Sequence, residues 1–222
     1  MQTIFGVKNN LHDRGLLVGV VVAYDVTVRP SSPELESELR ALIAQRRNQE
    51  FPPPSIKEAV RNLLKIGGFK PSGRNKPASE YLAQAAREDR FPFINNLVDV
   101  NNLVSLKCGL PISLLDGGVI GGDLSLRYGR AGERYVFNSA GQEIDLAGLV
   151  CSSDAAGDVP LGNPIKDSIN GKINQSTSTV VGVIYSPNSS PEFAESVQKH
   201  LSIFSDLLKR EGGASRTETF LL

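Results

Sequence analysis

The sequence is poor in histidine and cysteine, which often carry metal-assisted or nucleophilic chemistry. It has two of each among 222 residues. Neither His12 nor His200 adjoins a cluster of carboxylates, and Cys108 and Cys151 both lie in apolar segments, where cysteine usually acts as a small core residue. We therefore expect no metal site, no cofactor, no disulfide and no Ser-His-Asp triad.

An excess of charge and a long apolar run are also absent. Lys and Arg number 24, as do Asp and Glu, so the formal net charge is zero. Proteins that bind nucleic acid through phosphate contacts are usually basic, so any RNA binding must use a local patch. No stretch approaches the roughly 20 apolar residues of a membrane span, and the N-terminus lacks the apolar core of a signal peptide. We expect a soluble, cytoplasmic protein without membrane contact.

The length is enough for one good hydrophobic core. With 40% hydrophobic and 22% charged residues, the composition is that of an ordinary globular protein. We expect a single domain over residues 1–222. Residues 1–14 are polar and residues 213–222 follow a glycine pair, so we expect both segments to be loosely ordered.

Apolar periodicity predicts a mixture of helices and strands. The β-branched run at residues 15–28 is typical of a buried strand, and residues 124–128 and 135–137 alternate like the two strands of a hairpin. Ser190 and Pro191 begin a last helix, which ends at Gly212. The order of these elements favours an α+β fold, an irregular β-barrel or sandwich with helices packed to one side.

The most informative segment is residues 93–116, where polar side chains crowd the front of an apolar helix. The apolar residues recur at helical spacing and stop before Gly109 and Pro111. Four asparagines and an aspartate lie among them. An unsatisfied amide or carboxylate costs about 1–3 kcal/mol to bury. The pattern therefore indicates either the wall of a binding pocket or a set of helix caps and turns, and the residues alone leave both open.

A second segment, residues 69–77, is a basic loop bounded by glycine and proline. Lys70, Arg74 and Lys76 have no acidic residue among them, and Arg87 and Arg90 in the next helix could extend the positive surface. Such a loop is either a solvated connection or a contact for the phosphates of an RNA backbone. We consider all five to be candidate RNA-binding residues.

Two motifs carry a resemblance to a known family. Val98-Asp-Val-Asn-Asn-Leu-Val104 and Gly109-Leu-Pro-Ile-Ser-Leu-Leu-Asp116 resemble the signature of the B3/B4 editing domain in the beta chain of bacterial phenylalanyl-tRNA synthetase. From about residue 15 to about residue 187, the chain is more similar still to free-standing proteins that carry this domain alone. The resemblance implies a role in translation, with a tRNA partner contacted at its 3′ aminoacyl end.

The same resemblance implies a set of substrate-binding residues and no identified catalytic residue. Asn101 stands where the family usually has a threonine in the pocket wall, and Asn102 matches the asparagine beside it. Ser113 falls where the synthetases have a histidine. Gly162 and Asn163 align approximately with a glycine-containing pocket loop of the family.

Two departures from the family pattern bear on activity. The histidine that could position water is replaced by serine, and the strand at residues 180–184 has no carboxylate where the family has a glutamate that reads the tyrosine hydroxyl.

The resemblance as a whole implies a tRNA-binding, trans-editing hydrolase of mischarged aminoacyl-tRNA. The alternative is a non-catalytic module that binds RNA or an amino acid, and a third hypothesis is a protein-interaction module using the last helix. The sequence does not fix the oligomeric state.

Overall fold

Helices and strands are interspersed along the chain in the computed structural model, which describes residues 6–222. Within these residues the helices are α1 (Pro33–Arg47), α2 (Pro54–Lys65), α3 (Ala78–Arg87), α4 (Asn96–Cys108) and α5 (Pro191–Gly212). The strands are β1 (Val7–Asn9), β2 (Leu16–Tyr24), β3 (Ile112–Asp116), β4 (Leu124–Tyr128), β5 (Arg134–Val136), β6 (Glu143–Asp145), β7 (Val150–Asp154), β8 (Val159–Gly162), β9 (Thr179–Pro187) and β10 (Arg216–Leu221).

The central sheet has the strand order β10-β2-β9-β3, and all its pairs are antiparallel. Every residue of β2 and β9 is buried, which explains why both strands are rich in apolar residues. Helix α5 packs against both strands, and its Phe204 lies over Gly182 of β9. A Cβ atom at Gly182 would lie 2.6 Å from the Phe204 ring, so only glycine lets the helix approach this closely.

The helices form a layer on one side of this sheet. Helix α4 packs against α5 and β3, and α1 packs against α3 and α4. A second sheet has the order β1-β4-β7-β8, and β5 and β6 form a two-stranded ribbon. Within residues 6–222 no sheet closes into a barrel. The predicted α+β class with helices to one side is confirmed, in its sandwich-like form.

One strand pairing differs from the sequence-based prediction. Residues 124–128 and 135–137 do not form a hairpin, because β4 lies between β1 and β7, while β5 pairs with β6. Alternation identifies the residues of a strand but carries no information on which strand becomes its neighbour. The prediction of two strands was correct, and the prediction of their pairing was wrong.

The expectation of loosely ordered termini is also wrong for the residues that the structure describes. Residues 216–221 form β10, which pairs with β2 from Arg216 opposite Tyr24 to Leu221 opposite Gly19. At the other end, β1 pairs in parallel with β4. The backbone hydrogen bonds that each strand makes to an existing sheet edge order these polar segments, and polarity alone does not reveal such pairing. Residues 1–5 of the expected N-terminal segment lie outside the described range.

Candidate functional site

A cavity of about 680 Å³ lies between α3, α4, β3 and the segment 163–173 that connects β8 to β9. This volume is within the range of about 300–1,000 Å³ that is usual for small-molecule sites. Seven leucine, isoleucine and valine side chains contribute to its apolar wall: Leu82, Ile94, Val98, Ile112, Leu114, Ile165 and Ile173. Polar groups from α4 and from the 163–173 segment interrupt this wall.

The polar side chains at the front of α4 divide into two groups. Asn95 caps the helix by accepting a hydrogen bond from the Val98 amide at 3.0 Å. Asn96 donates to the carbonyl oxygens of residues 27 and 211, at 2.9 and 2.8 Å. Asp99 accepts from the Ser31 hydroxyl at 2.7 Å. These three side chains are accounted for by the fold.

Asn101 and Asn102 form the second group, and both line the cavity. Their exposed fractions are 8% and 7%. The Oδ1 atom of Asn101 is sealed from solvent and has no hydrogen-bond partner among the described residues. An unpaired buried acceptor costs about 1–3 kcal/mol, so helix capping does not explain this amide. Asn95, the cap of α4, also lines the cavity, whereas Asn96 and Asp99 bond to distant parts of the fold. Asn101 and Asn102 line the cavity without capping the helix.

Ser113 lies behind the cavity wall and does not line the cavity. Successive side chains of a strand face opposite ways, and on β3 the lining residues are its neighbours Ile112 and Leu114. The fully buried Ser113 hydroxyl donates to Oδ1 of Asp167 at 2.6 Å and lies 2.9 Å from the Tyr185 hydroxyl. Ser113 is linked to the cavity wall through Asp167 and, at 3.3 Å, through the carbonyl oxygen of Asn163.

Gly162 and Asn163 shape the turn that follows β8. A Cβ atom at Gly162 would lie 3.0 Å from both Ser113 Oγ and Asp167 Oδ1. The absence of a side chain at Gly162 therefore leaves room for the hydrogen bond between Ser113 and Asp167. Asn163 lines the cavity, but its Oδ1 accepts from the backbone amides of Ile165 and Lys166 at 2.7 and 2.9 Å. The side-chain amide of Asn163 therefore mainly holds the turn in place.

Among the described residues, Asp167 is the one carboxylate in the wall of the cavity, and it lies outside the motifs singled out in the sequence. It accepts hydrogen bonds from the Ser113 hydroxyl and, at 3.3 and 3.4 Å, from the backbone amides of Asn163 and Leu114. Burial raises the pKa of Asp167 to about 6. The hydrogen bonds and the charge of Lys172 favour the ionised form and so oppose this rise. All the hydrogen-bond donors to Asp167 are neutral groups.

Basic side chains gather on the same cavity. Arg90, Lys166 and Lys172 line it. Burial lowers the pKa of Lys166, and the charge of Arg74 lowers it further. The basic loop is held at the cavity wall by Tyr81, a lining residue whose hydroxyl donates to the Arg74 carbonyl oxygen at 2.6 Å.

The other candidate RNA-binding residues differ in position. Lys76 lies over the ring of Tyr81, with its Nζ atom 4.6 Å from the ring centroid. Lys70 is an exposed loop residue, and Arg87 donates to the carbonyl oxygen of Phe51 at 3.3 Å. Neither Lys70 nor Arg87 lines the cavity. Of the five candidates, Arg90 lines the cavity, while Arg74 and Lys76 contact the lining residue Tyr81.

Residues 6–222 contain neither a candidate metal site nor a candidate membrane span. No three His, Cys, Asp or Glu side chains are grouped in a way that could hold a metal ion. No helix in this range has the length and apolar character needed to cross a membrane. Cys108 and Cys151 are free and buried, and burial raises the pKa of each thiol to about 12.

Comparison with known families identifies the domain. The family model for the B3/4 domain matches residues 69–211, which is more than half of the chain. The chain belongs to the B3/4 domain family. This confirms the resemblance read from the two central motifs. Every residue that lines the cavity of this B3/4 domain falls within the matched range.

Sixteen chains of solved structures also match, and one of them is a synthetase fragment. The B3/4 domain is similar to an N-terminal fragment of the phenylalanyl-tRNA synthetase beta-subunit from Pyrococcus horikoshii, with 10% sequence identity and a TM-score of 0.48. The match covers 100% of this chain and 54% of that one, so the chain spans about half the length of the solved fragment. No curated protein matches the chain.

Proposed function

We propose that this B3/4 domain binds the 3′ aminoacyl end of a tRNA in the cavity and hydrolyses the ester of a wrongly attached amino acid. The observation that carries the proposal is the convergence of Asn101 and Asn102 with basic side chains on one cavity of suitable size. The family membership of the chain supports the same conclusion.

Phosphate recognition is supported by the placement of the basic residues. Arg90, Lys166 and Lys172 line the cavity, and Arg74 lies close enough to influence Lys166. Lys and Arg contacts to phosphates supply most of the sequence-independent affinity for nucleic acid. Because the whole chain has zero net charge, this local group is expected to account for the salt dependence of RNA binding.

Hydrolysis of an aminoacyl ester needs few catalytic groups, because the ester is already activated. A site for its hydrolysis must hold the amino acid, place a water molecule and stabilise the developing oxyanion. The side-chain amide of Asn102 has N–H donors at the cavity wall, and we assign it the oxyanion contact. No nucleophile from the protein is needed.

A deacylation assay with a panel of mischarged tRNAs tests the enzymatic part. We expect at least one of them to lose its amino acid faster with the protein than in buffer, and Asn102→Ala to reduce the rate. The far-UV circular dichroism of the variant should match that of the original protein. If no member of the panel turns over above the buffer rate, the protein is not a deacylase for these substrates.

One observation favours a second candidate, a non-catalytic module that binds RNA or an amino acid. Ser113 occupies the position of the family histidine, yet it does not line the cavity and its hydroxyl is engaged by Asp167. Calorimetry with tRNA and with free amino acids separates the candidates. Binding of either ligand without turnover in the panel selects the non-catalytic module.

A further inference from the structure

We infer that Asp167 is the recognition site for a primary ammonium group, so that the cavity takes ligands that combine a free α-ammonium with an apolar side chain. This inference rests on the proposed function, because it concerns the same cavity, but it does not require hydrolysis. It assigns a role to a residue outside the motifs that identify the family.

The first argument is the state of the carboxylate itself. Its Oδ1 atom accepts hydrogen bonds from the Ser113 hydroxyl and the Asn163 amide, while Oδ2 has one long contact, 3.4 Å from the Leu114 amide. An ionised carboxylate offers about four lone-pair sites. Oδ2 therefore retains acceptor capacity on a side chain that lines the cavity. Because a carboxylate that is largely shielded from water is normally paired, the partly exposed Asp167, held only by neutral donors, favours a cation brought by the ligand.

The second argument is that the lysines of the cavity are engaged elsewhere. The Nζ atom of Lys172 donates to the carbonyl oxygen of Phe137 at 2.5 Å. The Nζ atom of Lys166 lies 4.1 Å from the centroid of the Phe137 ring. Lys172 acts on Asp167 through its charge and makes no hydrogen bond to it. Within the described residues, the two cavity lysines thus leave the carboxylate without an ion-pair partner.

The third argument is a second acceptor in the same cavity. Oδ1 of Asn101 is buried and unpartnered, and the side chain as a whole is 8% exposed. An ammonium group has three N–H donors and no acceptor. It can therefore pair with the Asp167 carboxylate, and a small rotation of the Asn101 amide, whose Oδ1 is sealed in this structure, would offer it a second acceptor. A carboxylate or phosphate of the ligand would be repelled by Asp167.

The rest of the wall limits the ligand further. Much of the wall is apolar and is formed by Val98, Ile112, Leu114 and Ile165. Among the described residues, the cavity has no carboxylate besides Asp167 that could accept a hydrogen bond from a polar side chain of the ligand. A hydrocarbon or aromatic side chain gains from burial here, at about 25 cal/mol for each Å² of apolar surface removed from water. The ammonium and the apolar side chain of an α-amino acid derivative satisfy both parts of the cavity together.

The test uses the full chain and amides of alanine, leucine and phenylalanine, each with a free amine and with an N-acetylated amine. The α-amino group has a pKa of about 7.7–8.0, so at pH 7 the free amides are mainly cationic. By isothermal calorimetry we expect at least one free amide to bind, and its N-acetyl form to bind at least tenfold more weakly. Equal affinity of the two forms, or no binding of any of the three free amides, would overturn the inference.

Two variants extend the test. Asp167→Asn should weaken binding of the free amide at least tenfold and leave any binding of the N-acetyl form unchanged. Asp206→Asn, which removes an exposed carboxylate of α5, should change neither. An unaltered Kd of the free amide in Asp167→Asn would overturn the inference. If Asp167→Asn does not fold, the comparison of free and acetylated amides on the original protein still decides.

The outcomes also separate this inference from the proposed function. Binding of a free amide by the original protein, without hydrolysis of any mischarged tRNA, would remove the editing activity and keep the ammonium site. If N-acetyl-aminoacyl-tRNA is hydrolysed as fast as aminoacyl-tRNA, the editing activity is kept and the ammonium site is refuted.

Discussion

The raised pKa of Asp167 makes a quantitative prediction for the stability of Asp167→Asn. The pKa rises from the ordinary aspartate value of 3.8 to about 6 in the folded protein. Each pKa unit corresponds to about 1.36 kcal/mol. A pKa difference of about 2 units between the folded and unfolded states therefore means that the ionised carboxylate lowers the free energy of unfolding by at most about 3 kcal/mol. The side chain is partly exposed, and solvent screening reduces the expected cost to about 1–3 kcal/mol.

The sign of the pH dependence follows from the direction of the shift. Between pH 3.8 and about 6, the folded protein keeps a proton on Asp167 that the unfolded chain has lost. The contribution of this group to the free energy of unfolding therefore falls as the pH rises through this window, and it stays constant above it. Near pH 4 the wild-type side chain is neutral in the folded state, like the asparagine of the variant.

Urea unfolding of both proteins at pH 4, 5, 6 and 7 measures the effect. We expect Asp167→Asn to be about 1–3 kcal/mol more stable than the wild type at pH 7 and about equally stable at pH 4, with the same m-value. Other titrating groups cancel in the difference, because both proteins carry them. A difference that stays constant across the four pH values would refute the assigned pKa, and a variant that is less stable at pH 7 would show that the carboxylate stabilises the turn.

Three further predictions concern the site and the fold. Asn102→Ala should weaken ligand binding while the free energy of unfolding changes by less than about 1 kcal/mol, and an unfolded variant would instead make this residue a structural hydrogen-bond hub. Replacing Lys70, Arg74 and Lys76 by Ala should lower tRNA affinity and reduce the slope of log K against log salt by about 2, and unaltered affinity would leave the loop as a connection. Gly182→Ala should destabilise the protein by about 1–3 kcal/mol in urea unfolding, because the new Cβ would meet an aromatic ring of α5 at 2.6 Å, and a neutral effect would mean that α5 can shift.

The elements that the sequence predicted best are those defined by local signals. Helix α4 ends at Cys108, directly before Gly109, and α5 begins at Pro191 and ends at Gly212, as the capping pattern predicts. Strand partners were not predictable in this way. The pairing of β4 with β1 and of β10 with β2 joins segments more than 100 residues apart, and no local pattern encodes such contacts.

The candidate site was predictable where a residue lies on a recognisable motif. Asn101 and Asn102 do, and both line the cavity. Strand alternation could have shown that Ser113 faces away from its neighbours on β3 and hence away from the cavity. Asp167 and Lys166 lie in an irregular connection without periodicity, so only the folded chain brings them to the cavity.

The cavity also explains why the front of α4 stood out in the sequence. A chain selected for stability alone would pair or replace a buried acceptor such as Oδ1 of Asn101, and it would not hold the Asp167 carboxylate at a raised pKa. Each feature is locally unfavourable, and each becomes favourable when a donor or cation enters the cavity. Local conflicts of this kind are expected at functional sites, because a fold that satisfied every group internally would have nothing left to offer a ligand. The two costs meet at one cavity, and this coincidence distinguishes a binding site from two unrelated imperfections of packing.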